Sequence, residues 1–430
     1  MRRPPQHVVA HHHRGIGLRF AALRAARPGA WAAFLAVLGP GLLAGLSDDD
    51  PAGITTYSIL GTEHGYRLLW IIPASTILLV QFHLVAVHLG AVTGKGFVAL
   101  VRDRWGRGWG YVAVLGLLFA NFGTICAEYA GVAAAGSLVG IPAWVSAPLA
   151  GALIALMVVM GSFNRVERVL LIVSSTLALY IIDGVLARPD WSAVASGAIV
   201  PRLPLNTSGW VALSAALGTT LAPWGLAFIQ SYAVDKKITV GTLKWARVDV
   251  VIGSLLTGVV GLAIAVACAA TLYSTNAHVE TAADAAMALR PLAGAFATLL
   301  FGAALLGASL LAAAIVPIAT AYSIAEGVNE PASLSLDGHR FQWFYAAFVG
   351  LTVAAVSVVA LPGLPLIPLI YASQVLNAVV LPLHLVALVV LAGDAKVVGD
   401  ARPPRWSRIG GWVSVAVVVA CIVSLVVATR

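Results

Sequence analysis

Almost the whole of this chain lies in apolar stretches long enough to cross about 30 Å of hydrocarbon, and that restricts its fold more than any other feature. In lipid, every backbone N–H and C=O has to be paired inside its own segment or in a closed barrel, and runs of about 20 residues do this as helices. Eleven such stretches are read: 31–60, 67–93, 110–136, 142–161, 167–187, 208–234, 246–273, 294–325, 342–361, 366–391 and 409–428. Composition agrees, with 60% hydrophobic and 10% charged residues against about 25% charged in soluble domains. The expectation is an all-α membrane protein of eleven transmembrane helices. Residues 1–30 are rich in Arg and His and the first apolar run is too long for a signal-peptide core, so no cleavable signal is expected.

Lys and Arg set the orientation. With the N-terminus cytoplasmic, the basic tail 1–30 and the loops after spans 2, 4, 6, 8 and 10 hold 21 of the 26 basic residues. The other side holds Arg67, Arg188, Arg202, Arg290 and Arg430. A multi-pass protein of the cell membrane is expected, with its N-terminus inside and its C-terminus outside. The net charge of +8 then reflects topology, not a nucleic-acid partner. His11, His12 and His13 read as a solvated tail. Cys126, Cys268 and Cys421 are far apart in apolar spans, without disulfide or zinc spacing, and read as small packing residues.

Eleven spans divide into a five-helix unit at 31–187, a second at 208–392 and an eleventh helix at 409–428. Because five is odd, the two units have opposite topology, as in transporters built from inverted repeats. Their leading helices share an interruption. The first reads Gly45-Leu-Ser-Asp48-Asp49-Asp50-Pro51-Ala-Gly53, and the sixth reads Leu217-Gly-Thr219-Thr220-Leu-Ala222-Pro223-Trp224-Gly225. Proline removes a backbone donor and glycine lets the chain leave helical geometry, so both helices are expected to unwind at Pro51, Pro223 and Gly225. Interrupted spans at equivalent places point to a binding site near the midplane. The stretches 188–207, 274–293 and 393–408 read as linkers.

Each carboxylate at bilayer depth costs about 2.5–3.5 kcal/mol, so three in a row require a counter-ion. Carboxylates and carbonyls freed by unwinding are hard donors suited to Mg²⁺, Ca²⁺, Mn²⁺ or Na⁺. Ala222 precedes the second proline and supplies no sulfur, and the chain has only four Met. His-Glu-x-x-His, Gly-x-Ser-x-Gly and P-loop motifs are absent, which argues against an enzyme. An organic-solute carrier of LeuT-like architecture is the alternative class, but three Asp would repel an anionic head group.

Several runs carry a family resemblance. Gly39-Pro40-Gly41-Leu42-Leu43 followed by Asp50-Pro51-Ala52-Gly53 resembles the first span of NRAMP divalent-metal transporters. Gln81 with Leu89-Gly90-Ala91-Val92-Thr93-Gly94-Lys95-Gly96 resembles the second, Ala127-Glu128 with Gly131 the third, and Ser373-Gln374-Val375-Leu376-Asn377 with Leu381-Pro382 the tenth. The resemblance covers about residues 31–392. It implies a LeuT-like fold with helices 1 and 6 unwound, and divalent-metal uptake by alternating access. It also implies an ion held by Asp50, Asp49, Gly53, Thr219, Ala222 and Gln374, with Asp48, Thr55, Thr220, Trp224 and Glu128 around them. No cofactor is expected; the partners are the transported ion and the bilayer, with oligomeric state left open.

The departures shift the expected ion. Typical members place Asn where this chain has Gly53, and Met-Pro-His where it has Ala222-Pro223-Trp224. Losing the sulfur leaves oxygen donors, and the smaller residues would make room for water, which Mg²⁺ retains. The run Ala222-Pro223-Trp224 with Gln230-Ser231 and Val234-Asp235-Lys236 is similar to the NRAMP-related magnesium transporters. Family positions for a proton-carrying Asp and His hold Ile125 and Ile229. Glu128 then reads as structural, and His83, His88 and His384 as satisfied polar groups, so uptake is expected to run without proton coupling. A proton-coupled Mn²⁺/Fe²⁺ transporter is the alternative.

Overall fold

Pro51 has no N–H to give the preceding turn, and helical geometry stops just before it. The first span is therefore two pieces, α1 (Pro40–Asp48) and α2 (Pro51–His64). A second discontinuity divides α9 (Thr207–Thr220) from α10 (Pro223–Asp235), where Ala222 takes an extended φ/ψ of −47° and 129° before Pro223. The computed structural model describes residues 40–159, 179–204, 206–275, 278–287, 294, 297–332 and 342–430.

The remaining helices follow in chain order. They are α3 (Ile71–Thr93), α4 (Phe97–Trp105), α5 (Arg107–Ser137), α6 (Ala143–Val159), α7 (Leu179–Leu186), α8 (Trp191–Ile199), α11 (Leu243–Thr271), α12 (Ala282–Ala286), α13 (Ala297–Val328), α14 (Gln342–Val359), α15 (Leu366–Gly393), α16 (Ala395–Val398) and α17 (Arg405–Ala428). Among the described residues, seven spans are long and apolar enough to cross a membrane, counting α9 with α10 as one. Helices α6 and α14 are shorter apolar helices. The start of the first expected span and most of the fifth lie outside the described residues, as do the tail 1–30 with its three His and the loops holding Arg290 and Arg340. The expected count of eleven is thus met only in part.

All three expected linkers contain helices. In 188–207 the Asp190 carboxylate accepts from the Ser192 and Ala193 amides and starts α8. In 274–293 Thr281 and Asp284 form a reciprocal capping box that starts α12. In 393–408 the Asp394 carboxylate accepts from the Lys396 amide and starts α16.

Helices from the two halves of the chain pack on one another. Helix α11 lies against α1, α2 and α3, while α3 lies against α9 and α10. Helix α5 packs on both α13 and α15. Small residues permit the closest approach. A Cβ on Gly45 would stand 2.4 Å from the Gly253 carbonyl oxygen of α11, and one on Gly41 2.4 Å from the Val250 backbone. Polar groups fasten the same seam: the Gly41 amide donates to the Asp249 carboxylate at 2.7 Å, and Thr257 Oγ1 to the Gly45 carbonyl at 2.8 Å.

The basic end is closed by bonds between helices. Glu326 of α13 accepts from the Val98 and Ala99 amides at 3.0 and 3.3 Å, capping α4, and from Ser231 of α10 at 2.6 Å. Arg102 donates to the Glu326 carbonyl. Arg104 pairs with Asp394 at 2.5 Å, and that guanidinium, with the Lys396 amide, holds the Asp394 carboxyl below the usual carboxylate range.

Gly45→Val is expected to lower the thermal midpoint in detergent, because overpacking at this contact costs about 1–3 kcal/mol. Gly350→Ala, whose new Cβ meets open space, leaves the midpoint unchanged or slightly raised. Equal midpoints for the two variants would remove Gly45 from the packing account.

Candidate functional site

The first break is organised by Asp50. Its backbone is extended, with φ −78° and ψ 179°, and its Oδ1 accepts from the Gly53 amide at 2.7 Å. Asp50 is thus the N-cap of α2, where a carboxylate meets the positive end of the helix. The Pro51 ring behind it is seated in the space left by Gly131 of α5: a Cβ there would stand 2.3 Å from Pro51 Cγ and 2.5 Å from Ser309 Oγ of α13. This gives Gly131, noted in the sequence beside Glu128, a mechanical role.

Asp48, Asp49 and Asp50 are 3%, 1% and 4% exposed, so the whole triplet lies inside the bundle. Neither oxygen of Asp49 nor Oδ2 of Asp48 has a hydrogen-bond partner among the described residues. Glu128 of α5 is fully buried. Its carboxyl faces that of Asp50 and meets no donor group from the described residues. Four carboxyls are therefore gathered around one unwound turn, with the protein supplying donors to Asp50 alone. Among the described residues no three His, Cys, Asp or Glu side chains converge as a ready metal centre. A cation here would have to draw on backbone carbonyls or on its own water as well.

The second break faces the first. A Cβ on Gly225 would lie 3.6 Å from Asp48 Oδ1 and 3.7 Å from His83 Nε2, so Asp48 and His83 each reach the start of α10. Thr219 is 3% exposed and Ala222 5%, at the end of α9 and in the break. Trp224 is 1% exposed and packs on Phe228, ring centroids 6.3 Å apart. Pro223 starts α10, and the Gly225 amide donates to the Ala222 carbonyl at 3.1 Å.

Other expected residues form the walls. Thr220 donates to the Ala216 carbonyl at 2.7 Å, and the Tyr57 hydroxyl and Ser75 Oγ lie 2.8 and 3.1 Å from it. It ties α9 to α2 and α3. Gln374 donates to Ser373 Oγ at 2.6 Å and accepts from Asn377 at 3.0 Å, while Asn377 also donates to Thr124 of α5 at 2.9 Å. Its backbone carbonyl packs on Gly218, next to Thr219. Thr55 is buried on α2.

Two expectations change. A Cβ on Gly53 would stand 2.7 Å from the Asp48 carbonyl oxygen, so the volume freed by having no Asn there is filled by backbone and not left to water. A ring nitrogen also lies at the second break, outside the ligands the sequence suggests. His83 bonds Ser254 through Nδ1 at 3.0 Å, as a satisfied polar group would, yet its Nε2 faces the second break. A spacing signal existed, since His83 sits mid-span on α3, but which helix it faces is a tertiary matter. His88 fits its expected role, bonded to the Ala401 carbonyl at 2.7 Å and near Arg247 at 3.3 Å. His384 contacts the Val380 carbonyl at 3.3 Å on its own helix.

Two discontinuous helices facing one another in a LeuT-like bundle, with carboxyls at the break, define a secondary transporter. The chain belongs to the Nramp family: residues 41–428 match the family described as natural resistance-associated macrophage protein-like. It is 28% identical over 400 residues to the divalent metal cation transporter MntH of Klebsiella pneumoniae, covering 90% of this chain and 92% of that one. The MntH of Deinococcus radiodurans is 27% identical over 409 residues, with 90% and 88% covered. In three dimensions the chain is similar to the Eremococcus coleocola manganese transporter, with TM-score 0.76, 23% identity, and 92% and 88% of the two chains covered. It also shares its fold with Mhp1, a nucleobase-cation-symport-1 family transporter, at TM-score 0.57, 15% identity and 91% and 90% coverage. The chain is a membrane transporter, not an enzyme.

Gly53→Asn, which installs the residue typical of the family, is expected to push the Asp48 carbonyl aside and lower the thermal midpoint by the equivalent of about 1–3 kcal/mol. A midpoint equal to that of the parent would mean that the break has room to spare.

Proposed function

We propose that this protein carries divalent metal ions into the cell by alternating access, with Mg²⁺ as its main substrate and Mn²⁺ as a second. The units 31–187 and 208–392 would rock about an ion held between the breaks, with the N-terminus cytoplasmic and the C-terminus outside. The observation that carries the reading is the buried Asp48–Asp50 turn, in which both oxygens of Asp49 and Oδ2 of Asp48 lack partners among the described residues, and which faces a sulfur-free break at Ala222 and Gly225. Unpaired carboxylates inside a membrane bundle are tolerable where a cation visits them.

Asp50 is the foremost ligand through the oxygen not held by Gly53, with Asp49 next. The Thr219 and Ala222 positions, at the second break, would contribute backbone oxygen and Gln374 its amide oxygen, with Gly53 lining the site beside Asp50. Hard oxygen ligands and retained water suit Mg²⁺, and the absence of thioether at Ala222 removes the advantage a softer ion would have. The names of the relatives favour a second reading, Mn²⁺ uptake of the MntH kind. Ile125 and Ile229 cannot carry protons, which supports uptake driven by voltage. A divalent ion falling through 100 mV gains about 4.6 kcal/mol, enough for a gradient of roughly a thousandfold.

The test is uptake into proteoliposomes under an imposed negative potential. Mg²⁺ and Mn²⁺ are expected to enter without acidifying the lumen, and Asp50→Ala to abolish both fluxes. Mn²⁺ entry with no Mg²⁺ flux would overturn the magnesium reading, and lumenal acidification the uncoupled one. Separately, Ala222→Met is expected to tighten Mn²⁺ binding with no gain for Mg²⁺, measured by calorimetry, since only the softer ion uses sulfur. Equal changes for the two ions would defeat the hard-donor account.

A further inference from the structure

At the end of the bundle opposite Glu326, a polar pocket of about 370 Å³ opens between α2, the start of α9 and the chain after α11. Thr62, Glu63 and His64 line it from α2, Asn206 and Ser208 from α9, and Tyr273 and His278 from the third side. Glu63 supplies its negative charge, accepting from Ser208 Oγ at 3.2 Å and lying 3.8 Å from His278 Nδ1. Arg67, the next cation along the chain, donates to the Leu203 carbonyl at 3.0 Å.

What this pocket is suited to hold follows from its groups. A single carboxylate with hydroxyl, amide and imidazole neighbours lacks the ligands to strip a divalent ion, and among the described residues no three metal-ligating side chains converge. It is well matched to an ion that keeps its water. Six waters at about 30 Å³ each occupy roughly 180 Å³, which the pocket accommodates.

A second observation points inward from it. Thr55, Ser58 and Thr62 follow one another at spacings of three and four residues, so they share one face of α2. All three are buried, and the Ser58 and Thr62 hydroxyls have no hydrogen-bond partner among the described residues. Hydroxyls left unpaired inside a membrane bundle are costly unless water or a hydrated ion meets them. This face leads from the pocket toward the Asp48–Asp50 turn.

We propose that the Glu63 pocket captures the divalent cation with its water shell intact, and that the hydroxyl face of α2 leads it to the break. The proposal rests on the transport reading and on the orientation that places this end outside.

Cobalt(III) hexaammine, an inert cation that mimics hydrated Mg²⁺ and cannot shed its ligands, is the probe. It is expected to inhibit divalent uptake competitively from the outer face of proteoliposomes. Glu63→Gln is expected to raise the KM of the transported ion by about tenfold, the effect of removing one charge near a divalent ion in a wet site, and the inhibition constant of the trivalent hexaammine by more than that, with kcat little changed. Glu63→Asp restores most of both. Unchanged inhibition and KM in Glu63→Gln, or a fall in kcat alone, would overturn the capture site. The readout works with whichever of Mg²⁺ or Mn²⁺ is carried, so failure of the magnesium reading leaves it intact. If neither ion moves, the transport reading falls by itself. Calorimetry of the hexaammine then decides the pocket: binding that Glu63→Gln abolishes supports capture, and no binding to the parent protein overturns it.

Discussion

A carboxylate deep in a membrane bundle has to be met by something positive, and Asp50 is met by the first turn of its own half-helix. The 2.7 Å bond from the Gly53 amide, with Pro51 next in line, makes the break a capped helix start and not a defect. Much else in the architecture serves to hold that turn in place. Gly131 leaves the space in which the Pro51 ring sits, and glycines along α1 bring it against the α11 backbone. The Asp249 carboxylate then accepts from the buried Gly41 amide at the start of α1.

Around this rigid turn the polar groups divide into two kinds. Tyr57, Ser75 and Thr220 satisfy one another, as do Thr124, Gln374 and Asn377, and these networks pin α2, α3, α5, α9 and α15 together. Fully paired networks in a low-dielectric interior stiffen the parts they join. Asp48, Asp49, Ser58 and Thr62 are buried too, yet have oxygens that receive nothing from the described residues. The contrast separates much of the wall from the pathway: most groups the protein satisfies hold the fold, and those it leaves unsatisfied are available to cargo and water. Asp50 and Gln374, each with an oxygen held by one bond, stand on both sides. Asp48 is placed at the seam between the two breaks, where Gly225 and His83 also meet.

Both breaks were legible because proline and glycine act locally, and a triple aspartate inside an apolar run has few innocent explanations. The family resemblance was legible for the same reason, as it rests on those motifs. Less legible were the packing consequences of small residues. Gly53 reads as missing volume in sequence, whereas in the fold the Asp48 carbonyl fills that space. His83 reads as one more helical histidine until α10 is laid across it. Glu326 gave no signal, since a glutamate near the end of a span reads as solvated, and its role in capping α4 joins residues more than 220 positions apart. Helices α8, α12 and α16 were missed where linkers were expected, although the caps Asp190, Thr281 and Asp394 were there to be read.

By itself the sequence determined the solvent, the helical class, the paired interruptions and the absence of sulfur at the second of them. Those are consequences of backbone chemistry and residue type, which act over a turn or less. Only the tertiary structure decided which carboxylates are satisfied, which helix each polar group faces and how much room a glycine leaves. These depend on the close approach of segments far apart in the chain, and approach distances of a few ångströms are set by packing.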